Sequence, residues 1–152
     1  LLERAGNAEK GGITGIYTVL VEGDDFNEPV ADHVRSVLDG HVVLTRRLAG
    51  QGHYPAIEVT ESASRVRDAI VSRDQRDASQ ELVSLLAAYR EKEDLIAVGA
   101  YQEGADPHLD TAVRLRPELN GFLRQDPEDA TDFGETKERM MDLAQKAHGS
   151  AA

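Results

Sequence analysis

Ile13-Thr14-Gly15-Ile16-Tyr17-Thr18-Val19-Leu20-Val21, closed by Glu22-Gly23-Asp24-Asp25, is the stretch on which the fold turns. It alternates and then becomes continuously apolar, with Gly11-Gly12 before it and Gly23 after it, so it predicts a buried strand. Asn27-Glu28-Pro29 then opens a helix, because proline at the first helical position loses an N–H that has no intrahelical partner anyway. Val30, Val34 and Val37/Leu38 give that helix one apolar face, and Gly40 is placed to end it in a left-handed conformation. His41 to Leu44 reads as a second short buried strand. Thr45 can cap a short helix through Leu48, closed by Gly50 and Gly52, and Ala56 to Val59 reads as a third strand. Strand, helix, strand, helix, strand in succession predicts a parallel α/β layer.

The composition changes near residue 70, where glycine and strand signals give way to helix. Ser72-Arg73-Asp74-Gln75 has the form of a capping box. Leu82, Leu85/Leu86, Tyr89 and Ile96 form a stripe at helical spacing as far as Gly99. Asp106-Pro107 starts another helix with Leu109, Ala112 and Val113 behind it. Pro117 is expected to kink or break that helix before Leu119, Phe122 and Leu123. Asp126-Pro127 interrupts again, and a last amphipathic helix carries Phe133, Met140, Leu143 and Ala147. The reading is α/β then all-α: residues 1–70 a sheet-bearing unit, residues 71–148 a helical domain, and residues 149–152 a disordered tail.

Composition bounds the function. The 152 residues carry a net charge of −11, which opposes binding to nucleic acid or anionic membrane, since each phosphate neutralised needs a Lys or Arg. Arg46-Arg47 is the only adjacent basic pair. The chain has no cysteine, so disulfides and thiolate metal sites are excluded. The longest apolar runs are far too short to span a bilayer. A chain opening on Leu1-Leu2-Glu3-Arg4 reads as a piece of a longer protein, as does a sheet of only three short strands.

Two residues stand out chemically. Tyr54, in Gly52-His53-Tyr54-Pro55-Ala56-Ile57, is an aromatic beside a proline that fixes the backbone, and it can stack on a flat ring or simply pack half-buried. Arg65, in Ser62-Ala63-Ser64-Arg65-Val66, is placed to reach a phosphate across an interface, although Arg67 competes for that role. Asp24-Asp25 suits either a divalent cation or a turn and helix cap. The histidines at 33, 41, 53, 108 and 148 have no metal-ligand spacing, and no Gly-x-Ser-x-Gly elbow is present. Gly11-Gly12 lacks the following Lys and Ser/Thr of a phosphate-binding loop.

The long run from Ile13 to Asp25, with Glu28-Pro29-Val30-Ala31-Asp32, Leu38-Asp39-Gly40-His41 and the Gly52–Ile57 segment, resembles the flagellar and type III secretion export ATPases. These are homologues of the catalytic subunit of rotary ATP synthases. Ser62–Val66, Asp94-Leu95-Ile96, Gly99-Ala100-Tyr101 and Phe122-Leu123-Arg124-Gln125 fit the same pattern, over roughly residues 1 to 125.

The resemblance implies the C-terminal portion of a RecA-like parallel-sheet ATPase core followed by a helical C-terminal domain, assembled as a homohexamer. It assigns Tyr54 to adenine stacking in its own subunit. It assigns Arg65, rather than Arg67, as an arginine finger acting in trans on the neighbouring subunit's nucleotide. No catalytic role carries over to Asp24 or Asp25. The cofactor implied is ATP with Mg2+ in the full-length parent. The family's phosphate loop, catalytic glutamate and magnesium-binding aspartate precede the residue aligned with Leu1, so this chain alone is expected not to hydrolyse ATP. The implied partners are stalk and regulator proteins, chaperones and export substrates, with no nucleic acid. The implied location is cytoplasmic and peripheral at the inner membrane. Two alternatives compete: a non-enzymatic helical module that binds export substrates, chaperones or stalk proteins, and a related hexameric motor acting on nucleic acid.

Overall fold

A computed structural model of the chain describes residues 4–21 and 28–149. Asp24-Asp25 and the end of the predicted tail lie outside the described residues.

The first half is held together by short antiparallel pairings. Strands β1 (Gly6–Asn7) and β2 (Gly12–Ile13) form a hairpin, so Gly11-Gly12 leads into a strand as expected. The predicted strand beyond it does not form. Residues 14 to 20 carry no regular structure, and Ile16 and Leu20 are 94% and 92% exposed. A buried strand needs neighbours on both edges and cover on both faces, and the described residues provide neither for this run.

Helix α1 (Pro29–Val37) starts at the predicted proline. Its buried residue is Ala31, Val34 is half-buried, and Val30 and Val37 are exposed. It ends on extended Leu38, not on a left-handed Gly40. Gly40 instead opens strand β3 (Gly40–His41), which pairs antiparallel with β4 (Ala63–Ser64). A Cβ at Gly40 would lie 2.8 Å from the carbonyl oxygen of Ala63, so the glycine permits close strand approach.

Val43–Thr45 and Ala56–Glu58 also run antiparallel. Thr45 N–H donates to the Ala56 carbonyl (3.0 Å), Glu58 N–H donates to the Val43 carbonyl (2.8 Å), and Leu44 bridges Ile57. The predicted parallel layer is therefore not formed among the described residues. Between these segments lies only a five-residue helix, α2 (Arg46–Gly50), which returns the chain as a hairpin would. Parallel neighbours would need a crossover of about a dozen residues or more. Thr45 caps α2 through its hydroxyl, as the sequence predicts.

The second half is a three-helix bundle. After the short α3 (Arg67–Ile70), helix α4 (Arg73–Ala97) is capped by Ser72, whose hydroxyl accepts from Gln75 N–H. It ends at Gly99, φ +72°, with Gly99 N–H bonded to the Ile96 carbonyl and Ala100 N–H to that of Leu95. Helix α5 (Pro107–Leu123) continues past Pro117 without ending there, so the expected break does not occur. Leu115 and Leu119, on either side of that proline, are each 1% exposed, and their burial holds together a helix that Pro117 alone would interrupt. Helix α6 (Phe133–His148) is capped by Asp132 and packs through Leu143, Ala144 and Ala147, whereas Phe133 is 73% exposed and outside the core.

Ala78, Leu82, Leu85 and Leu86 of α4, Ala112, Leu115 and Leu119 of α5, and the α6 residues make one core, against which Val59 packs from the first half.

Candidate functional site

The turn that carries Tyr54 is built by the end of α2. Gly52, at φ +66°, is the left-handed residue after the helix. Its N–H bonds the Ala49 carbonyl (3.0 Å), and His53 N–H bonds that of Leu48 (2.9 Å). This double closure drives His53 inward to 5% exposure beside Leu48 and leaves Tyr54 outward, 58% exposed. On the inner side, the Tyr54 carbonyl accepts a 2.9 Å hydrogen bond from Gln125 N–H, just beyond the end of α5. The backbone is thus anchored while the ring remains accessible, a geometry that suits a base-stacking surface.

Arg65 follows β4 directly. Its N–H donates to the Asp39 carbonyl (2.7 Å), extending the β3–β4 pairing, and its Nη2 donates to the Ser36 carbonyl (3.0 Å) in the last turn of α1. It pairs with no carboxylate among the described residues, so its remaining donors can turn to an anion. Arg67, by contrast, is occupied by the neighbouring Asp68 at 3.1 Å. Tyr54 and Arg65 are not brought together: one is anchored at the end of α5, the other at the end of α1.

Beside the Tyr54 turn in sequence, Glu58 anchors a charged network that sequence reasoning missed. Glu58, 6% exposed, accepts from Arg47 Nη2 at 2.8 Å and from Thr60 Oγ1 at 2.7 Å. Arg90 of α4 places Nη1 at 3.4 Å from the same carboxylate, donates to Thr60 Oγ1 at 2.9 Å, and pairs through Nη2 with Glu61 at 2.6 Å. Arg47 is thus half of an internal ion pair, not half of a basic patch. The only advance signal was Glu58 itself, a carboxylate between Ile57 and Val59 in a segment read as a strand.

Burial pushes the Glu58 carboxyl up, but hydrogen bonds from Thr60 and Arg47 and the Arg90 charge outweigh it and hold it below its ordinary value. His53 is held low by burial first, then by the charges of Arg124 and Arg116, so it is favoured neutral. Arg116 also lies over the Tyr89 ring, 4.3 Å from its centroid.

As to nucleotide, the residues present fit part of one. Tyr54 presents an exposed ring, and Arg65 makes no ion pair among the described residues. Gly11-Gly12, the only paired glycines, sit in a hairpin and are followed by Ile13 and Thr14, not by the lysine of a phosphate cradle.

Comparison with known proteins accounts for this division. Residues 1–64 match the nucleotide-binding domain of the ATP synthase alpha/beta family, and residues 71–142 match the T3SS EscN ATPase C-terminal domain. The molecule thus joins part of an ATP synthase-like nucleotide-binding domain to a helical domain, the α/β-then-α organisation read from the sequence. Across both units the chain is similar to the type III secretion and flagellar export ATPases.

It is 51% identical over 143 residues to the Type 3 secretion system ATPase of Pseudomonas syringae pv. syringae, covering 94% of this chain and 32% of that protein. It is 48% identical to the flagellum-specific ATP synthase of Treponema pallidum, over 90% of this chain and 30% of that one. The assembled ATPase EscN of the enteropathogenic E. coli type III secretion system superposes with a TM-score of 0.89 at 45% identity, over 94% of this chain and 35% of that chain. The chain thus spans about a third of the length of the curated relatives it matches.

Proposed function

We propose that this chain forms the C-terminal part of a protein-export ATPase that couples ATP hydrolysis to export of protein substrates. Tyr54 stacks on adenine in its own subunit, and Arg65 reaches the nucleotide of the next subunit as an arginine finger. The units are residues 1–70, which carry these two groups, and residues 71–148, which face partners.

The single observation that carries this reading is the continuous relationship to export ATPases across both units, 51% identical to the first of them, with Tyr54-Pro55-Ala56 and Ser64-Arg65 in place. The split anchoring of Tyr54 and Arg65 supports assigning them to two different nucleotide sites. The resemblance implies a homohexameric parent, a finger acting in trans requires a neighbouring subunit, and the solved EscN assembly, including one with its central stalk EscO, supports an oligomer with a stalk partner. Regulators, chaperones and export substrates complete the partners, at a cytoplasmic site peripheral to the inner membrane. The parent uses ATP with Mg2+. This chain alone is inactive, because its Gly11-Gly12 turn carries no phosphate-binding lysine and base stacking alone contributes only about 1–3 kcal/mol.

The test is ATP turnover by the full-length protein against that of residues 1–152. Turnover confined to the full-length protein supports the reading, and turnover by the short chain overturns it. A second reading, a non-enzymatic helical interaction module, draws on the bundle α4–α6 having its own core. It prevails if the coding sequence upstream contains no Gly-x-x-x-x-Gly-Lys-Thr loop.

A further inference from the structure

The Tyr54 turn takes its position from the helical bundle rather than from the sheet-bearing half alone. On one side its carbonyl is fixed by Gln125 N–H at 2.9 Å, at the end of α5. On the other side, Ala56–Glu58 is fixed by Glu58, whose buried carboxylate meets Arg90 of α4. Arg90 also grips the following turn at Thr60 and Glu61, so a single α4 side chain holds three consecutive polar positions of the other half. Val59, between them, packs on the bundle core.

From this juxtaposition we propose that Arg90 is a positioning residue for the nucleotide-stacking turn: through Glu58 and Thr60 it makes the placement of Tyr54, and hence nucleotide affinity, depend on where α4 sits. The affinity part of this rests on the stacking assignment of Tyr54, and the positioning part does not. The physical basis is geometric. A guanidinium spreads its donors over a fixed planar fork and so reaches Glu58, Thr60 and Glu61 from two separate nitrogens, whereas the three donors of an ammonium radiate from one nitrogen and match that spread poorly. Glu58 is buried and keeps Arg47 and Thr60 as partners when Arg90 is removed, so what Arg90 alone supplies is the link from that carboxylate to α4. A displacement of α4, for example by a protein bound to the bundle, would have to move or break this fork. The helical domain would thereby be coupled to the base platform without touching nucleotide.

The experiment uses the full-length protein carrying Arg90→Met, Arg90→Lys or Tyr54→Ala. Two readouts are taken: backbone amide exchange without nucleotide, and titration with a fluorescent ADP analogue. Arg90→Met should accelerate exchange at Glu58, Glu61 and Gln125, with the interior amides of α4 unchanged, and should weaken nucleotide binding by about tenfold, within the range that one stacked base supplies. Arg90→Lys should restore the charge but only part of the protection. Unchanged exchange at Glu58, Glu61 and Gln125 in Arg90→Met would overturn the proposal, and so would full recovery in Arg90→Lys. If exchange rises but Tyr54→Ala leaves nucleotide affinity intact, positioning of the turn stands and the stacking assignment falls.

Discussion

The guanidinium of Arg65 donates from Nη2 to the carbonyl oxygen of Ser36, 3.0 Å away in the last turn of α1. A helix C-terminus carries partial negative charge, so this contact holds a cation without neutralising it. The arginine is parked against α1 and can exchange one carbonyl for a phosphate oxygen. In the full-length protein, Arg65→Ala should therefore lower steady-state ATP turnover by about three powers of ten or more while nucleotide binding persists. Arg65→Lys should rescue little, because the fork geometry is lost. Near-normal turnover in Arg65→Ala would remove the finger assignment.

Tyr54 should behave differently. Its ring is exposed and its backbone is anchored at Gln125, so Tyr54→Ala should weaken ADP and ATP binding by about 1–3 kcal/mol, more than it slows the chemical step. Tyr54→Phe, which keeps the ring face, should bind nearly as the parent does. Calorimetric titration compares the three proteins, and equal affinity of Tyr54→Ala and parent would exclude stacking.

The buried pair His53 and Glu58 predicts acid sensitivity with a definite sign. His53 is held below its ordinary 6.5, so on acidification the unfolded chain takes up this proton first. Its contribution is full above about pH 6.5 and is lost as pH falls towards the folded value. Glu58 is held below its ordinary 4.5, so its contribution is present above that pH and is lost as pH falls through the lower folded value. Urea midpoints measured from pH 8 to about pH 3 should fall in two stages, the lower one below about pH 4.5, and His53→Gln should flatten the upper one. A pH-independent midpoint across that range would contradict the burial of both groups.

Pro117 sits in the interior of α5 and is exposed to solvent. Proline costs a helix interior about 3 kcal/mol relative to alanine, while its restriction of the unfolded chain returns roughly 0.4–1 kcal/mol. The helix term is larger, so Pro117→Ala should stabilise the bundle by about 2 kcal/mol. Leu115→Ala, at a site 1% exposed in the core two residues away, should destabilise it by about 2–5 kcal/mol. Denaturant titration of both variants checks the pair of signs, and a destabilised Pro117→Ala would mean that the ring itself packs.

The helical half was legible because its signals are local. Ser72, Asp106 and Pro107 each act within one turn of the helix they start, and Leu82, Leu85 and Leu86 declare their face by spacing alone. Strand direction was not legible. Apolar runs at 41–44 and 56–59 look the same whether their neighbours are parallel or antiparallel, and the run ending at Val21 finds no strand partner among the described residues. A break at Pro117 and a core place for Phe133 were both expected from residue type alone, whereas α5 continues past the proline with Leu115 and Leu119 buried and Phe133 lies exposed outside the core.

The candidate site divides in the same way. Residue order singled out Tyr54, and Arg65 beside its competitor Arg67, as candidates for nucleotide chemistry, and the resemblance to export ATPases, not spacing, chose between the arginines. Tertiary structure alone revealed that Arg67 is spent on Asp68, that Arg65 rests on Ser36, and that Glu58 binds α4 through Arg90. Glu58 and Arg90 stand 32 positions apart in the chain, from 58 to 90. No spacing rule spans that distance, and only the packing of Val59 onto the bundle brings the two charges within reach of each other.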